Sequence, residues 1–208
     1  MKRKDFSNLE ITVQNKKDTI FEHEHYSAGI APNLRGIHAT MYFQTPLGTK
    51  ISKDSFSKEN TLPEIELATF LVESLGYIQK EIDANAKIDT IVSKLSFETT
   101  IGTHHFDEIA KMRAARMLWS KLLKQFNPKN QGSFALQINA TIKTSFDAFQ
   151  AILGGCQCII SKDKKHLFFE EEIGILKTID PWAGSTYVEK KTEEIATKSW
   201  LLFKESTF

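Results

Sequence analysis

Apolar positions along the chain follow two rhythms. Over 62–82, Leu67, Leu71, Leu75, Ile78 and Ile82 recur every three or four residues, with Ile65, Ala68 and Val72 beside them. That spacing predicts a helix with one broad apolar face, suited to lying on a sheet. Thr61, Pro63 and Glu64 supply a capping hydroxyl, an early proline and a carboxylate for its first turn. A second helix is expected over 104–126. Its buried stripe is Phe106, Ala110, Ala114, Met117, Leu118 and Leu122, Asp107 and Lys111 form a pair four apart, and Asn127-Pro128 stops it. A short helix over 144–153 ends at Gly154-Gly155. A last helix is expected over 189–203, with Val188, Thr192, Ile195, Ser199 and Leu202 turned inward.

Between these helices the rhythm shortens. Phe134, Leu136, Ile138, Ala140 and Ile142 alternate on one face, as in a strand. Further strands are expected at 94–98 and 156–160, with β-prone stretches at 40–44 and 49–52 and another around Phe168 and Phe169. Strands alternating with helices predict an α/β fold with a parallel sheet. Residues 1–28 are polar and irregular, and read as an extended arm before a domain over 29–208. Such an arm cannot bury enough apolar surface alone to offset its ordering entropy, so it must lie on something or move. Ser27 to Pro46 carries repeated Gly and Pro and is expected to be mostly loop.

Composition narrows the function classes. The net charge is +1, from 27 basic and 26 acidic residues, so no basic surplus points to nucleic acid. No stretch approaches the roughly 18 apolar residues of a membrane span. The start, MKRKDFSNLE, has no apolar run behind its basic cluster and is not expected to be a secretory signal. The two cysteines, Cys156 and Cys158, are one residue apart and close no useful disulfide loop, which fits a reducing, cytoplasmic setting.

Candidate chemistry is sparse. Cys156 and Cys158 face one way on a strand, but no further Cys or His follows at zinc spacing, so they read as buried strand cysteines. His104 and His105 diverge by about 100° on a helix and do not suit a shared metal. His23 and His25 alternate, so both rings can face one way in an extended arm. Arg113 and Arg116 can hold phosphates, or form ion pairs with a neighbouring element. Gly154-Gly155 lacks the spacing of a phosphate loop and reads as a helix cap. No serine sits in a nucleophile elbow.

Four segments carry a resemblance to a known family. AGIAPNLRGIHATMY (28–42), KLSFETTIGTHHFDEIAKMRAARMLWSKL (94–122), KTSFDAFQAILGGCQ (143–157) and EEEIGILKTIDPWAGSTYVEKKTEEIATKSW (170–200) resemble, in order, the catalytic barrel of the cobalamin-dependent methylmalonyl-CoA mutases. ELATFLVESLGYIQ (66–79) extends the match. The resemblance implies a TIM-type (β/α) barrel that binds acyl-CoA along its axis, with adenosylcobalamin on a separate domain. By resemblance, Met41, Tyr42, Ser96 and Gln157 are the retained acyl-CoA-binding positions.

The chain departs from that pattern in length and in chemistry. A barrel of this type takes about 200 to 250 residues, more than 29–208 offers, so a partial or degenerate barrel with parallel strands and flanking helices is expected. FQTPLGTK (43–50) stands where the family carries an Arg/Trp/Tyr-rich run, and Asp54-Ser55 stand for a Tyr-His pair. Lys94 replaces an Arg and Glu98 a Phe, while Asn139 and Thr141 fall where a His and a Gln would touch substrate. A carboxylate in place of an aromatic is costly in a dry pocket unless it finds a partner. No Asp-x-His-x-x-Gly cobalamin motif is present, so this chain alone is not expected to bind the cofactor. The expected role is a protein not catalytic on its own, partnering a full-length mutase subunit or itself. The alternative is an acyl-CoA mutase working with a separate cobalamin-binding chain.

Overall fold

A computed structural model describes residues 21, 23, 25–51, 61–162 and 174–207. Four strands form one parallel sheet: β1 (Gly48–Ile51), β2 (Ser96–Thr100), β3 (Gln137–Thr141) and β4 (Cys158–Ser161). Their order is β1-β4-β3-β2, so the first and last of them are neighbours. The register aligns Ser96 with Gln137, Asn139 with Cys158, and Gly48 with Cys158. Helices α1 (Pro63–Asp83), α2 (Ile88–Val92), α3 (His105–Leu123), α4 (Ser145–Leu153) and α5 (Thr186–Thr207) complete the chain order. The architecture is α/β, and parallel strands with flanking helices are consistent with part of a TIM-type barrel.

The two faces of the sheet differ. Phe97, Ile138, Ala140 and Ile159 are buried toward the helices, in one core with Leu67, Leu71, Leu118, Trp119 and Leu122. Phe70 of α1 packs on both Phe97 and Trp119. The opposite face carries Lys50, Ser96, Glu98, Gln137, Asn139, Thr141 and Cys158; Lys50, Glu98 and Gln137 are exposed, while Thr141 and Cys158 are buried. Parallel sheets are usually covered on both faces, so this open face is the unusual feature.

Helix α3 is the centre of the packing. It contacts α1, α4 and α5, and is buried on almost every side, including Lys111, Arg113 and Arg116. Helix α4 begins with a full capping box: Thr144 Oγ1 accepts from the Asp147 amide at 3.2 Å, and Asp147 accepts from the Thr144 amide at 2.9 Å.

Several expectations shift. The strand expected at 40–44 is a 3-10 turn, Met41–Phe43, because the Tyr42 hydroxyl reaches back to the Cys156 carbonyl at 2.6 Å and Met41 adopts φ +43°. The strand expected at 94–98 lies at 96–100, since the apolar residues before it, Ile91 and Val92, are spent on α2. The strand expected at 156–160 begins at Cys158, after a turn at Gly154-Gly155 in which Gly155 has φ +77°. The last helix starts earlier and runs longer, and its inward face uses Phe203 more than Leu202. Lys111 does not pair with Asp107. It reaches Glu66 and Glu108, while Asp107 pairs with Lys191. His23 is buried and His25 exposed, so the two rings do not share a face. The expected strand around Phe168 and Phe169, and most of the arm, lie outside the described residues, as does the Asp54-Ser55 position.

Candidate functional site

The residues singled out by resemblance sit in two places. Met41 and Tyr42 come from the turn before β1 and press against the Gly154-Gly155 corner after α4. Met41 is buried, and its terminal methyl lies 3.4 Å from where a Cβ on Gly155 would stand. With Arg116 and Asp180 they line a void of only about 10 Å³, too small for a ligand. Gln157 stitches neighbouring backbone. Its Nε2 donates to the Gly155 carbonyl at 2.7 Å, and its Oε1 accepts from the Ile138 amide at 2.9 Å.

Ser96 belongs to a different group on the open face of β2. Its Oγ donates to Glu98 Oε1 at 2.8 Å, and Asn139 Nδ2 donates to the same carboxylate oxygen. Glu98 thus finds the hydrogen bonds a buried carboxylate would demand, yet it remains exposed. A cleft of about 390 Å³ runs along the outer edge of β2 against α1, lined by Glu66, Phe70, Glu73, Ser96, Glu98 and Lys111 among others. At its floor Lys111, itself buried, holds Glu66 at 2.9 Å and Glu108 at 2.7 Å. Thr99 Oγ1 donates to Glu66 at 2.8 Å. The acidic side of this cleft was not legible in the sequence, because Glu66 and Glu108 come from two helices with no common motif.

The strongest electrostatic feature is elsewhere. Arg113 donates to Asp180 and, at 2.6 Å, to Glu189. Arg35 lies 3.1 Å from both carboxylates. His23 Nε2 is 3.0 Å from Glu189, and the Gly184 amide donates to Glu189 at 3.1 Å. Burial alone would raise the Glu189 pKa. The His23 hydrogen bond, the Arg113 charge and hydrogen bond, and the Gly184 amide outweigh it and bring the group down to about 2. Arg116 caps three buried carbonyls, of Leu34, Gly154 and Gly155. Burial, with repulsion from Arg113, lowers its pKa to about 10. Both arginines therefore take the ion-pairing and packing role rather than a phosphate-binding one. This network ties the 23–35 segment, α3, the Asp180 turn and α5 into one block.

Both cysteines are buried, but only Cys158 lies in a strand, Cys156 standing in the turn before it, and burial pushes the Cys156 thiol up to about 12. His105 packs among Phe106, Phe146, Phe149 and Trp182, and burial lowers its pKa. Among the described residues, no three His, Cys, Asp or Glu side chains group as a metal site. No described helix is long and apolar enough to cross a membrane.

A parallel sheet backed by helices, with a buried charge block at one corner and an open inner face, defines an α/β protein built like a segment of a (β/α) barrel. The chain belongs to the methylmalonyl-CoA mutase family, whose sequence profile matches residues 50–165 and 159–207. It is 35% identical to the methylmalonyl-CoA mutase large subunit of Porphyromonas gingivalis, covering 68% of this chain and 24% of that protein. It is 32% identical to the large subunits of Streptomyces virginiae and of Propionibacterium freudenreichii subsp. shermanii, covering 68% and 66% of this chain and 24% and 23% of those proteins. The chain therefore spans about a quarter of the length of these relatives.

Proposed function

We propose that this protein is a methylmalonyl-CoA mutase-family chain that does not turn over acyl-CoA by itself, and acts as a partner of a full-length mutase subunit or of itself. The observation that carries this reading is the open sheet face. In a working barrel the substrate channel must exclude water. Here Lys50 and Glu98 stand exposed on the face that would line such a channel. The positions expected to touch acyl-CoA are occupied otherwise: Tyr42 and Gln157 bond to backbone, and Ser96 bonds to Glu98.

The family's adenosylcobalamin fits the described residues poorly. The inner-face positions of the four strands, read from the register, include no histidine to approach cobalt. Two hollows among the described residues, about 390 and 640 Å³, are a carboxylate-lined cleft and an open loop surface near Tyr26 and Arg35.

The deciding experiment incubates the purified chain with methylmalonyl-CoA and adenosylcobalamin. No isomerisation is expected, and turnover by the lone chain refutes the proposal. Family membership favours one alternative, a mutase working with a separate cobalamin-binding chain, in which Met41, Tyr42, Ser96 and Gln157 contact the thioester. Titration with a CoA thioester separates the two: saturable binding that weakens in Ser96→Ala supports the alternative. A cytoplasmic location is part of the proposed reading, consistent with two thiols kept free.

A further inference from the structure

We propose that the open face closes by pairing with a second copy of this chain, edge to edge, so that two four-stranded sheets complete one eight-stranded barrel. This rests on, and sharpens, the reading of the chain as a self-associating partner. The sheet has two edge strands, β1 and β2, running parallel. Among the described residues nothing pairs with the outer side of either. Around a two-fold axis along the barrel, β1 of each copy falls beside β2 of the other. That closes both junctions at once and leaves no edge, the arrangement symmetric assemblies favour.

The unpaired backbone groups are in place for this. The Gly48 amide donates inward to Gln157 at 2.9 Å, so strand alternation turns the amides of Thr49 and Ile51 to the outer edge. The Ile101 amide donates inward to Thr141 at 3.0 Å, so those of Ser96, Glu98 and Thr100 turn outward on β2. The cleft beside β2 is the slot a further strand would fill. Its acidic wall includes Glu73 and Glu98, both exposed, whereas Glu66 and Glu108 share the single charge of Lys111.

Side-chain parity supports the same occupant. Gly48 is in register with Cys158, and Cys158 with Asn139, which pairs with Glu98. Gly48 and Lys50 therefore share a face with Ser96 and Glu98. An eight-stranded barrel of this type has a shear of about 8, so two-fold symmetry staggers each junction by about four residues. An even stagger keeps inward residues opposite inward residues. Lys50 of one copy then stands near Glu98 of the other, within reach of a long side chain, at both junctions. On the outer face, Ile51, which is 57% exposed, would be covered by the second copy's β2 and α1.

The test is a charge swap read by light scattering and sedimentation. The wild-type chain is expected to be a dimer. Lys50→Glu and Glu98→Lys each place like charges at both junctions, and each should raise the dimer dissociation constant roughly a hundredfold. Mixing the two variants restores opposite charges at both junctions, so a heterodimer should form where each alone is monomeric. Amide hydrogen exchange serves if Glu98→Lys fails to fold. In the wild type, Thr49, Ile51, Ser96 and Glu98 should gain protection as concentration rises. A wild-type chain that stays monomeric at all concentrations overturns the pairing, as do single variants that dimerise normally, a mixture that stays monomeric, or edge amides indifferent to concentration. A monomer without turnover would overturn the pairing alone. A dimer that isomerises methylmalonyl-CoA would overturn the proposed inactivity alone.

Discussion

Replacing Glu189 by Gln probes the buried charge block with the fewest steric changes. The side chain is fully buried on the first turns of α5 and faces Arg113, Arg35, His23 and the Gly184 amide. Its carboxyl falls from an ordinary value of 4.5 to about 2 in the folded protein. At about 1.4 kcal/mol per pKa unit, the ionised form contributes on the order of 3 kcal/mol of stability at neutral pH. That agrees with the roughly 3–5 kcal/mol lost when one member of a buried ion pair is removed. The sign follows from the depressed value. The contribution is complete above pH 4.5 and is lost as pH falls from there through about 2. Urea melts of wild type and Glu189→Gln at pH 7, 5, 3.5 and about 2 measure the difference. At pH 7 the variant should be about 3 kcal/mol less stable, or roughly 6–12 °C lower in Tm. The gap should shrink below pH 4.5 and nearly vanish near pH 2. Carboxylates outside this block titrate alike in both proteins and cancel in the difference. A gap that stays constant across the series would show that Glu189 acts through packing rather than charge.

Three further outcomes are expected. Thr144→Ala removes the hydroxyl half of the capping box on α4 and should cost about 1 kcal/mol in a denaturant melt, while Ser145→Ala, one residue inside the helix, should cost far less. Gly155→Ala puts a side chain at φ +77°, 3.3 Å from the Arg116 guanidinium and 3.4 Å from Met41, and should lose roughly 1–2 kcal/mol by the same assay. Cys156, with its pKa pushed up to about 12 by burial, should resist a thiol reagent at pH 8 in the native protein and react at once in urea. Rapid native labelling of Cys156 would contradict the packing of the Tyr42 corner.

The fold was legible where periodicity ran long. Helices α1 and α3 follow from three- and four-residue spacing, and β3 from Leu136, Ile138 and Ala140 in alternation. Short pieces were misplaced for local reasons. The stretch 40–44 is β-prone, yet the Tyr42 hydrogen bond and the positive φ of Met41 fold it into a turn. Ile88–Val92 is too short for a helical period to register, so the sequence alone predicts no helix there and places β2 two residues early. Of the site, the ion-pairing role of Arg113 was one of two readings the sequence allowed, while its partners Asp180 and Glu189 lie 67 and 76 residues away. In the Glu66–Lys111–Glu108 triad, helical spacing offers Lys111 either Asp107 four residues back or Glu108 three back, and it is Glu66, 45 residues away, that had no signal. Local spacing finds a pair on one helix, but a buried lysine takes whichever carboxylates the tertiary packing delivers.

The two kinds of charge in this chain make opposite demands on assembly. Arg35, Arg113, Asp180 and Glu189 are already desolvated and matched within the chain, so the corner they hold needs no partner to be stable. Lys50 and Glu98 are solvated, and closing the sheet over them removes that water. Closure is favourable only if it brings the two together, because Ser96 and Asn139 satisfy the hydrogen bonds of Glu98 but no cation among the described residues pairs with its charge. Even then the enclosed space would hold two lysines and two glutamates. Such an interior differs from the apolar wall a thioester channel requires, so completing the barrel would not by itself create a mutase site. Assembly and activity are therefore separate questions. Glu98→Phe is the variant that asks both: it should weaken a charge-paired dimer while making the inner face less polar, and thioester binding gained without dimerisation would show that the polar residue, not the missing closure, is what keeps acyl-CoA out.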